Sequence, residues 1–181
     1  DKTIDAYGRI DILVNNAVSS TNHSFLEITE DDWDHLVGNA LKGYFLCSQR
    51  AAREMVAQGQ GGRVVSISSV HAFRAWPGDL VYGVCKAGLL RMAKSMAVDL
   101  SGQNITFNCV APGYIASRSL SPEEEHRRAG PGYVGEAMEW IPSNRGGFPH
   151  DIARAVLFLS SELGDYVNGE CITVDGGFLA G

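Results

Sequence analysis

The sequence predicts an α/β fold with a doubly wound parallel sheet, and two observations support this prediction. Short apolar runs typical of buried strands alternate with longer segments that have helical periodicity. Each helix-length segment separates one strand from the next, and such connections give parallel strands joined by right-handed crossovers. The 181 residues are 45% apolar and 20% charged, which is typical of a globular domain. We therefore expect a single domain over residues 1–181.

The predicted elements follow one another along the whole chain. Residues 1–8 have the pattern of the last turns of a helix that ends at Gly8. Thr29 and Asp32 form a capping pattern at the start of a helix that continues to about residue 58. The other helices are predicted at 81–100 and 149–164, and the strands at 12–15, 63–69, 105–110 and 171–174. The apolar strand 12–15 is of the kind that is buried on both faces.

Tyr82 and Lys86 are the residues in which the sequence most clearly indicates chemistry. They stand four residues apart in a predicted helix, so the phenol and the ammonium share one face. A tyrosine has a reference pKa of about 10, and lowering it to about 7 takes about 4 kcal/mol. A cation about 4 Å away, at an effective dielectric near 20, supplies about that free energy. The pair therefore predicts a tyrosine that exchanges protons near neutral pH.

Four further motifs occur in a fixed order around this pair. They are Asn15-Asn16-Ala17, the serines Ser68-Ser69, Pro112-Gly113-Tyr114-Ile115 and Val174-Asp175-Gly176-Gly177. The first three follow predicted strands, and the carboxyl ends of strands are where open α/β sheets bind ligands. In this order and spacing the motifs resemble the short-chain dehydrogenase/reductase family over essentially the whole chain. The resemblance implies a Rossmann-like sheet.

The resemblance also implies an oxidoreductase that transfers a hydride between NAD or NADP and a secondary alcohol or ketone. Tyr82 would be the general acid or base, Ser69 would position and polarise the substrate oxygen, and Lys86 would lower the pKa of the tyrosine and hold the nicotinamide ribose. The residues implied to contact the cofactor are Asn15, Ala17, Tyr82, Lys86, Pro112, Gly113, Ile115 and Ser117.

The substrate side of the site is expected in two regions of the chain. His71, Phe73 and Trp76 follow Ser69 in a loop and are predicted to line the substrate pocket; His71 as a base is the less favoured interpretation. Residues 118–148 interrupt the alternation of strands and helices, and this position in the family forms a substrate lid. A solvated surface helix is the alternative for its charges. For Tyr133, Trp140 and Phe148 the alternatives are a pocket wall or packing on the sheet.

Three features depart from the family pattern. No glycine-rich turn of the G-x-G-x-x-G type links a strand to a helix, so we expect a fold truncated at its N-terminal half, with strand 12–15 as an exposed edge. Val18 stands where the family has glycine, and β-branched residues tolerate positive φ poorly. The family's catalytic asparagine aligns with Ala40, one residue after Asn39. A π-bulge between Trp33 and Gly43 would rotate Asn39 towards that position.

Composition limits the partners and the compartment. The net charge of -6 argues against nucleic acid or an anionic membrane as a partner, and no apolar run approaches the length of a membrane span. Four isolated cysteines predict reduced thiols in a cytoplasm and no metal site. By resemblance, the two long helices would assemble a homo-dimer or homo-tetramer.

A hypothesis of a different class remains open at this point. The missing glycine turn and Ala40 also fit a non-catalytic remnant of the family that serves as an assembly or interaction module. Ser69, Tyr82 and Lys86 favour the enzyme, because such a module has no need of them.

Overall fold

Four parallel strands form the centre of the described part of the chain. The computed structural model describes residues 2–19, 23–115 and 139–181. The strands pair in the order β1-β2-β3-β4, and every pair is parallel. This confirms the predicted fold class, and the strand ends differ from prediction by no more than two residues. The strands are β1 (Ile12–Asn15), β2 (Gly62–Ile67), β3 (Ile105–Pro112) and β4 (Cys171–Val174).

The helices of the described ranges also follow the predicted order. Thr29 caps the second helix: its side chain accepts a hydrogen bond from the Asp32 amide, and the Asp32 carboxylate accepts one from the Thr29 amide. The predicted helix to residue 58 is interrupted by a π-helical turn, Gly38–Lys42. The α-helices are α1 (Lys2–Tyr7), α2 (Glu30–Val37), α3 (Gly43–Gln58), α4 (Leu80–Asp99) and α5 (Pro149–Ser160).

Helices pack on both faces of the sheet, which makes the arrangement doubly wound. Val64 of β2 and Phe107 of β3 face a cluster that includes Met55 of α3 and Leu89 of α4. Their neighbours Val65 and Val110 face the opposite side, where Leu159 of α5 packs against them. Side chains alternate between the two faces of a strand, so a continuous apolar run in β2 and β3 supplies both cores.

β1 is less buried than its apolar sequence predicts. Leu13 packs on the cluster beneath α3 and α4. Ile12 and Val14 point to the other face and are 47% and 42% exposed. Within the described ranges β1 is the edge strand and pairs with β2 alone. The strand therefore has the exposed apolar edge that was predicted, and it is not buried on both faces.

The described residues hold neither a membrane helix nor a metal-ion cluster. None of their helices is both long and apolar enough to span a bilayer. Their histidine, cysteine, aspartate and glutamate side chains form no group of three that could hold a metal ion.

The loops after β3 and β4 approach each other so closely that a glycine is required. Gly113 follows β3, and its amide donates a hydrogen bond to the Val174 carbonyl at 3.0 Å. A Cβ atom on Gly113 would lie 2.7 Å from the Cβ and 2.8 Å from the Cα of Asp175. The second of these atoms belongs to the backbone and cannot rotate away. The contact therefore fixes the spacing between two loops at the carboxyl end of the sheet.

Replacement of Gly113 by alanine tests this close approach. We expect Gly113→Ala to lower the free energy of unfolding by about 1 to 3 kcal/mol, because the added methyl group overpacks the contact with Asp175. Gly38→Ala is the control, because a Cβ there meets no atom within 4 Å and the residue has helical φ. It should be neutral or about 1 kcal/mol more stable. Urea unfolding of both variants measures the difference, and equal stabilities would contradict the contact.

Candidate active site

The structure brings Ser69, Tyr82 and Lys86 together at the carboxyl end of the sheet. Ser69 lies just beyond β2 and close to Tyr82, and its hydroxyl accepts a hydrogen bond from the His71 backbone amide at 3.3 Å. Tyr82 and Lys86 lie one turn apart on α4, and the Lys86 Nζ atom is 5.4 Å from the centre of the Tyr82 ring. Ser68 donates a hydrogen bond to the Lys86 carbonyl at 2.9 Å, which ties α4 to the end of β2.

Lys86 is a buried cation, and its surroundings lower its pKa. Its side chain passes under the sheet end, where Nζ donates a hydrogen bond to the Ile67 carbonyl at 2.6 Å. Nζ also lies over the ring of Tyr44 at 5.4 Å. The residue is 1% exposed, and burial lowers its pKa from 10.5 to about 8. Both the charged and the neutral amine are therefore accessible near physiological pH.

The pKa of Tyr82 shifts in the direction opposite to the sequence prediction. Burial raises the pKa of the phenol, and the nearby Ser69 hydroxyl opposes that rise. Lys86 does not supply the predicted lowering. Its ammonium lies over the ring face and is bonded to the Ile67 carbonyl, whereas the sequence argument placed it beside the hydroxyl.

A pocket of about 300 Å³ opens beside Ser69 and Tyr82. His71 and Trp76, both predicted to line the substrate pocket, are part of its wall. Phe73 is 51% exposed and does not line this pocket, which differs from the expectation. The pocket is lined by Ser69, Val70, His71, Trp76, Tyr82, Gly113, Tyr114, Ile115, Trp140 and Phe178.

An aromatic wall forms part of the pocket lining. The sequence left open whether Trp140 lines the pocket or packs on the sheet, and the structure places it in this wall. The centre of its ring lies 5.7 Å from that of Tyr114 and 5.6 Å from that of Phe178. Phe178 also stacks on Trp76 at 5.7 Å. Sequence analysis missed Phe178; its only signal is an aromatic residue directly after a diglycine turn. Phe148 is buried.

His71 is held in the pocket wall by a carboxylate that sequence analysis also missed. Its Nδ1 atom lies 2.8 Å from Oδ2 of Asp79, and the same oxygen accepts the backbone amide of Trp76 at 3.0 Å. The imidazole lies 4.3 Å from the Trp76 ring and meets the Tyr82 ring edge-on at 5.3 Å. Asp79 precedes α4 and in sequence resembles a helix cap, yet its side chain does not cap the helix.

The residues implied to contact the cofactor border the same end of the sheet. Asn15 is buried at the end of β1, and its amide nitrogen donates to the hydroxyls of Ser48 at 2.9 Å and Ser66 at 3.2 Å. The Asn15 amide nitrogen is therefore used within the fold. Ala17 is exposed beside it. Pro112 is the last residue of β3, and the loop from Gly113 to Ile115 follows it.

Gly113 and Ile115 line the same pocket as Ser69 and Tyr82, so the nicotinamide end of a dinucleotide would be held there. Ala17 presents a small exposed side chain, and the close approach at Gly113 fixes the loop that would face the ring. Ser117 and most of the predicted lid, residues 118–138, lie outside the described residues, as does Tyr133.

The two local departures from the family pattern have structural outcomes. Val18 is not among the described residues with positive φ, so the strain considered for it does not arise. The π-helical turn lies where a bulge was considered. It leaves Asn39 exposed, whereas Ala40 is fully buried against Leu36 and Cys85. Ala40 therefore packs on the helix that carries Tyr82.

Comparison with known proteins agrees with this geometry. The model of a family described as enoyl-(acyl carrier protein) reductase matches residues 1–179. The 2-dehydro-3-deoxy-D-gluconate 5-dehydrogenase of Escherichia coli K12 is 37% identical over 182 residues, covering 99% of this chain and 70% of that protein. The 3-oxoacyl-[acyl-carrier-protein] reductase of Thermotoga maritima is 37% identical over 179 residues, with 99% and 70% covered.

Solved structures show the same similarity in three dimensions. The acetoin dehydrogenase of Enterobacter cloacae superposes with a TM-score of 0.88 at 39% identity, covering 99% of this chain and 68% of that one. The gluconate 5-dehydrogenase of Burkholderia cenocepacia J2315, in complex with NADP and tartrate, superposes at 0.84 with 30% identity, covering 100% and 69%. The chain therefore belongs to the short-chain dehydrogenase/reductase family of NAD(P)-dependent oxidoreductases.

Proposed function

We propose that this protein interconverts a secondary alcohol and a ketone, with Tyr82 as the general acid or base. The observation that carries the proposal is that Ser69 and Tyr82 line one pocket while the Lys86 ammonium lies against the Tyr82 ring. A hydride donor or acceptor is required, and bound NAD or NADP supplies that chemistry. The clustering of these three residues favours an enzyme over the non-catalytic module considered above.

The substrate oxygen would lie between the two hydroxyls. Ser69 and Tyr82 lie close to each other and both line the pocket. In ketone reduction Tyr82 gives its proton to the substrate oxygen, and in alcohol oxidation it removes the proton. Ser69 donates a hydrogen bond to the same oxygen and stabilises the charge that develops there. A phenol with a raised pKa keeps its proton at neutral pH, which suits the reductive direction.

Lys86 would return the proton to Tyr82. Its Nζ atom uses one hydrogen for the Ile67 carbonyl, which leaves further donors for the cofactor ribose or for water. With a pKa of about 8, the amine changes charge at low free-energy cost near neutral pH.

Two further statements belong to this proposal. A cytoplasmic location is supported by the four cysteines, all of which are free thiols. A homo-oligomer is supported by large apolar side chains that are exposed on the two long helices α3 and α4. They are Phe45, Leu46, Val56, Val84 and Val98.

Removal of the phenolic hydroxyl tests the assignment of Tyr82. Tyr82→Phe keeps the aromatic ring and its contacts with His71 but removes the acid. We expect kcat in the intact protein to fall by about 10² to 10⁴. Tyr166→Phe is the matched control, because Tyr166 is fully exposed and should retain normal turnover. Normal turnover in Tyr82→Phe, with the thermal midpoint of unfolding unchanged, would refute the assignment.

The pKa of Lys86 predicts a specific dependence of stability on pH. Because the folded-state pKa is lowered from 10.5 to about 8, the unfolded chain binds more protons between these pH values. The free energy of unfolding, measured relative to Lys86→Met, should therefore rise by about 2 to 3 kcal/mol from pH 8 to pH 10.5. Below pH 8 the difference should be constant. Urea unfolding of both proteins at several pH values measures this difference in the free energy of unfolding. A difference that does not change with pH would mean that burial does not shift the pKa of Lys86.

A further inference from the structure

The His71–Asp79 pair gives the pocket a fixed polar group next to the reacting centre. Ser69 and Tyr82 are assigned to the substrate oxygen, whereas the pair has no part in that step. His71 lines the pocket, and its ring meets the Tyr82 ring edge-on at 5.3 Å. The imidazole therefore stands in the pocket wall beside the phenol that is assigned to the reacting oxygen.

The orientation of His71 is determined from several sides. The Asp79 side chain is 12% exposed, and its Oδ2 atom is hydrogen-bonded to both the His71 imidazole and the Trp76 backbone amide. The Trp76 ring lies against the imidazole at 4.3 Å, with the two planes tilted by 32°. Such constraints hold a side chain in one rotamer, which is what a recognition group needs.

The partner at Nδ1 determines what His71 offers to a ligand. An ionised carboxylate only accepts hydrogen bonds, so the proton of a neutral imidazole resides on Nδ1 and is donated to Asp79. Nε2 then carries a lone pair and no hydrogen. His71 therefore offers the pocket a fixed hydrogen-bond acceptor, Nε2. Such an acceptor favours a ligand with a hydroxyl group that can donate to it.

We infer that His71 recognises a hydroxyl group on the carbon next to the reacting carbon. The preferred substrates are then α-hydroxyketones in reduction and vicinal diols in oxidation. This inference rests on the proposed function, because Ser69 and Tyr82 must hold the reacting oxygen. Trp76 and Phe178 enclose the site, so an analogue without the hydroxyl leaves Nε2 without a partner in an aromatic environment. Sites built to hydrogen-bond a hydroxyl discriminate strongly against analogues that lack it.

Three ketones with the same carbon skeleton separate the possible roles of His71. Butanone has no second oxygen, acetoin has a hydroxyl on the adjacent carbon, and diacetyl has a carbonyl there. The values of kcat/KM are measured for the intact wild-type protein and for His71→Phe, which keeps a ring against Trp76 but has no nitrogen. We expect the wild type to favour acetoin over butanone by about 10-fold, the worth of one good hydrogen bond.

In His71→Phe the preference for acetoin should fall towards one, because the acceptor is lost. His71→Gln, whose amide can donate to Asp79 and accept from a substrate hydroxyl, should recover part of the preference. If kcat/KM falls by the same factor for acetoin and butanone in His71→Phe, His71 only supports the fold. A larger loss on diacetyl than on acetoin would mean that His71 donates to a carbonyl. Either result overturns the inference.

The two proposals can fail separately. If kcat/KM of the wild type is about the same for acetoin and butanone, the role of His71 is overturned even when no variant folds. The assignment of Tyr82 as acid or base is unaffected by that result. Full activity of Tyr82→Phe on all three ketones overturns the proposed function, whatever the ratio is. A glutamine variant with no more preference for acetoin than the phenylalanine variant also contradicts an acceptor at this position.

Discussion

The attachment of α4 to the end of β2 is the constraint on which the rest of the site depends. Lys86 makes both contacts: its ammonium donates to the Ile67 carbonyl, and its own carbonyl accepts from Ser68. Together they fix the rotation and height of the helix against the strand. Tyr82 stands one turn earlier on α4 and is thereby placed at Ser69. A buried ammonium without a partner is costly, so the Ile67 carbonyl is needed for the fold as well as for the site.

The same constraint connects the fold to the electrostatics of the site. Burial lowers the pKa of Lys86 to about 8 and raises that of Tyr82, so both groups favour their neutral forms more than they would in water. The aromatic wall continues this environment around the pocket. It gathers residues from the loop after β2, from the loop after β3 and from the C-terminal turn at Phe178. Hydrogen bonds from Ser69 and Tyr82 are stronger in such surroundings than in bulk solvent.

Local patterns allowed much of this structure to be predicted from the sequence. Apolar runs bounded by turns located all four strands, and the Thr29 cap was found because its partner Asp32 lies within one turn. Tyr82 and Lys86 share a helix face by spacing alone, and their proximity to Ser69 follows from the topology of a parallel sheet. These features depend either on contacts between residues that are close in the sequence or on the fold class itself.

The features that were missed depend on contacts between distant segments. Phe178 reaches Trp76 across about a hundred residues of chain, and no local signal marks it as a pocket residue. The pKa of Tyr82 depends on how deeply the phenol is buried and where the Lys86 ammonium points, and neither is visible in a spacing of four. The turn Gly38–Lys42 was considered as a π-bulge, but whether Asn39 or Ala40 would face α4 depended on packing against Cys85.

A crystal structure of the intact protein with NADP and an unreactive substrate analogue tests the central claim most directly. The account predicts that one ligand oxygen lies at about 2.5 to 3.0 Å from both the Ser69 and the Tyr82 hydroxyls. The Lys86 side chain should remain attached to the end of β2 at the Ile67 carbonyl or extend from there to the cofactor ribose. An analogue bound with its oxygen away from Ser69 and Tyr82, in the presence of NADP, would contradict the claim.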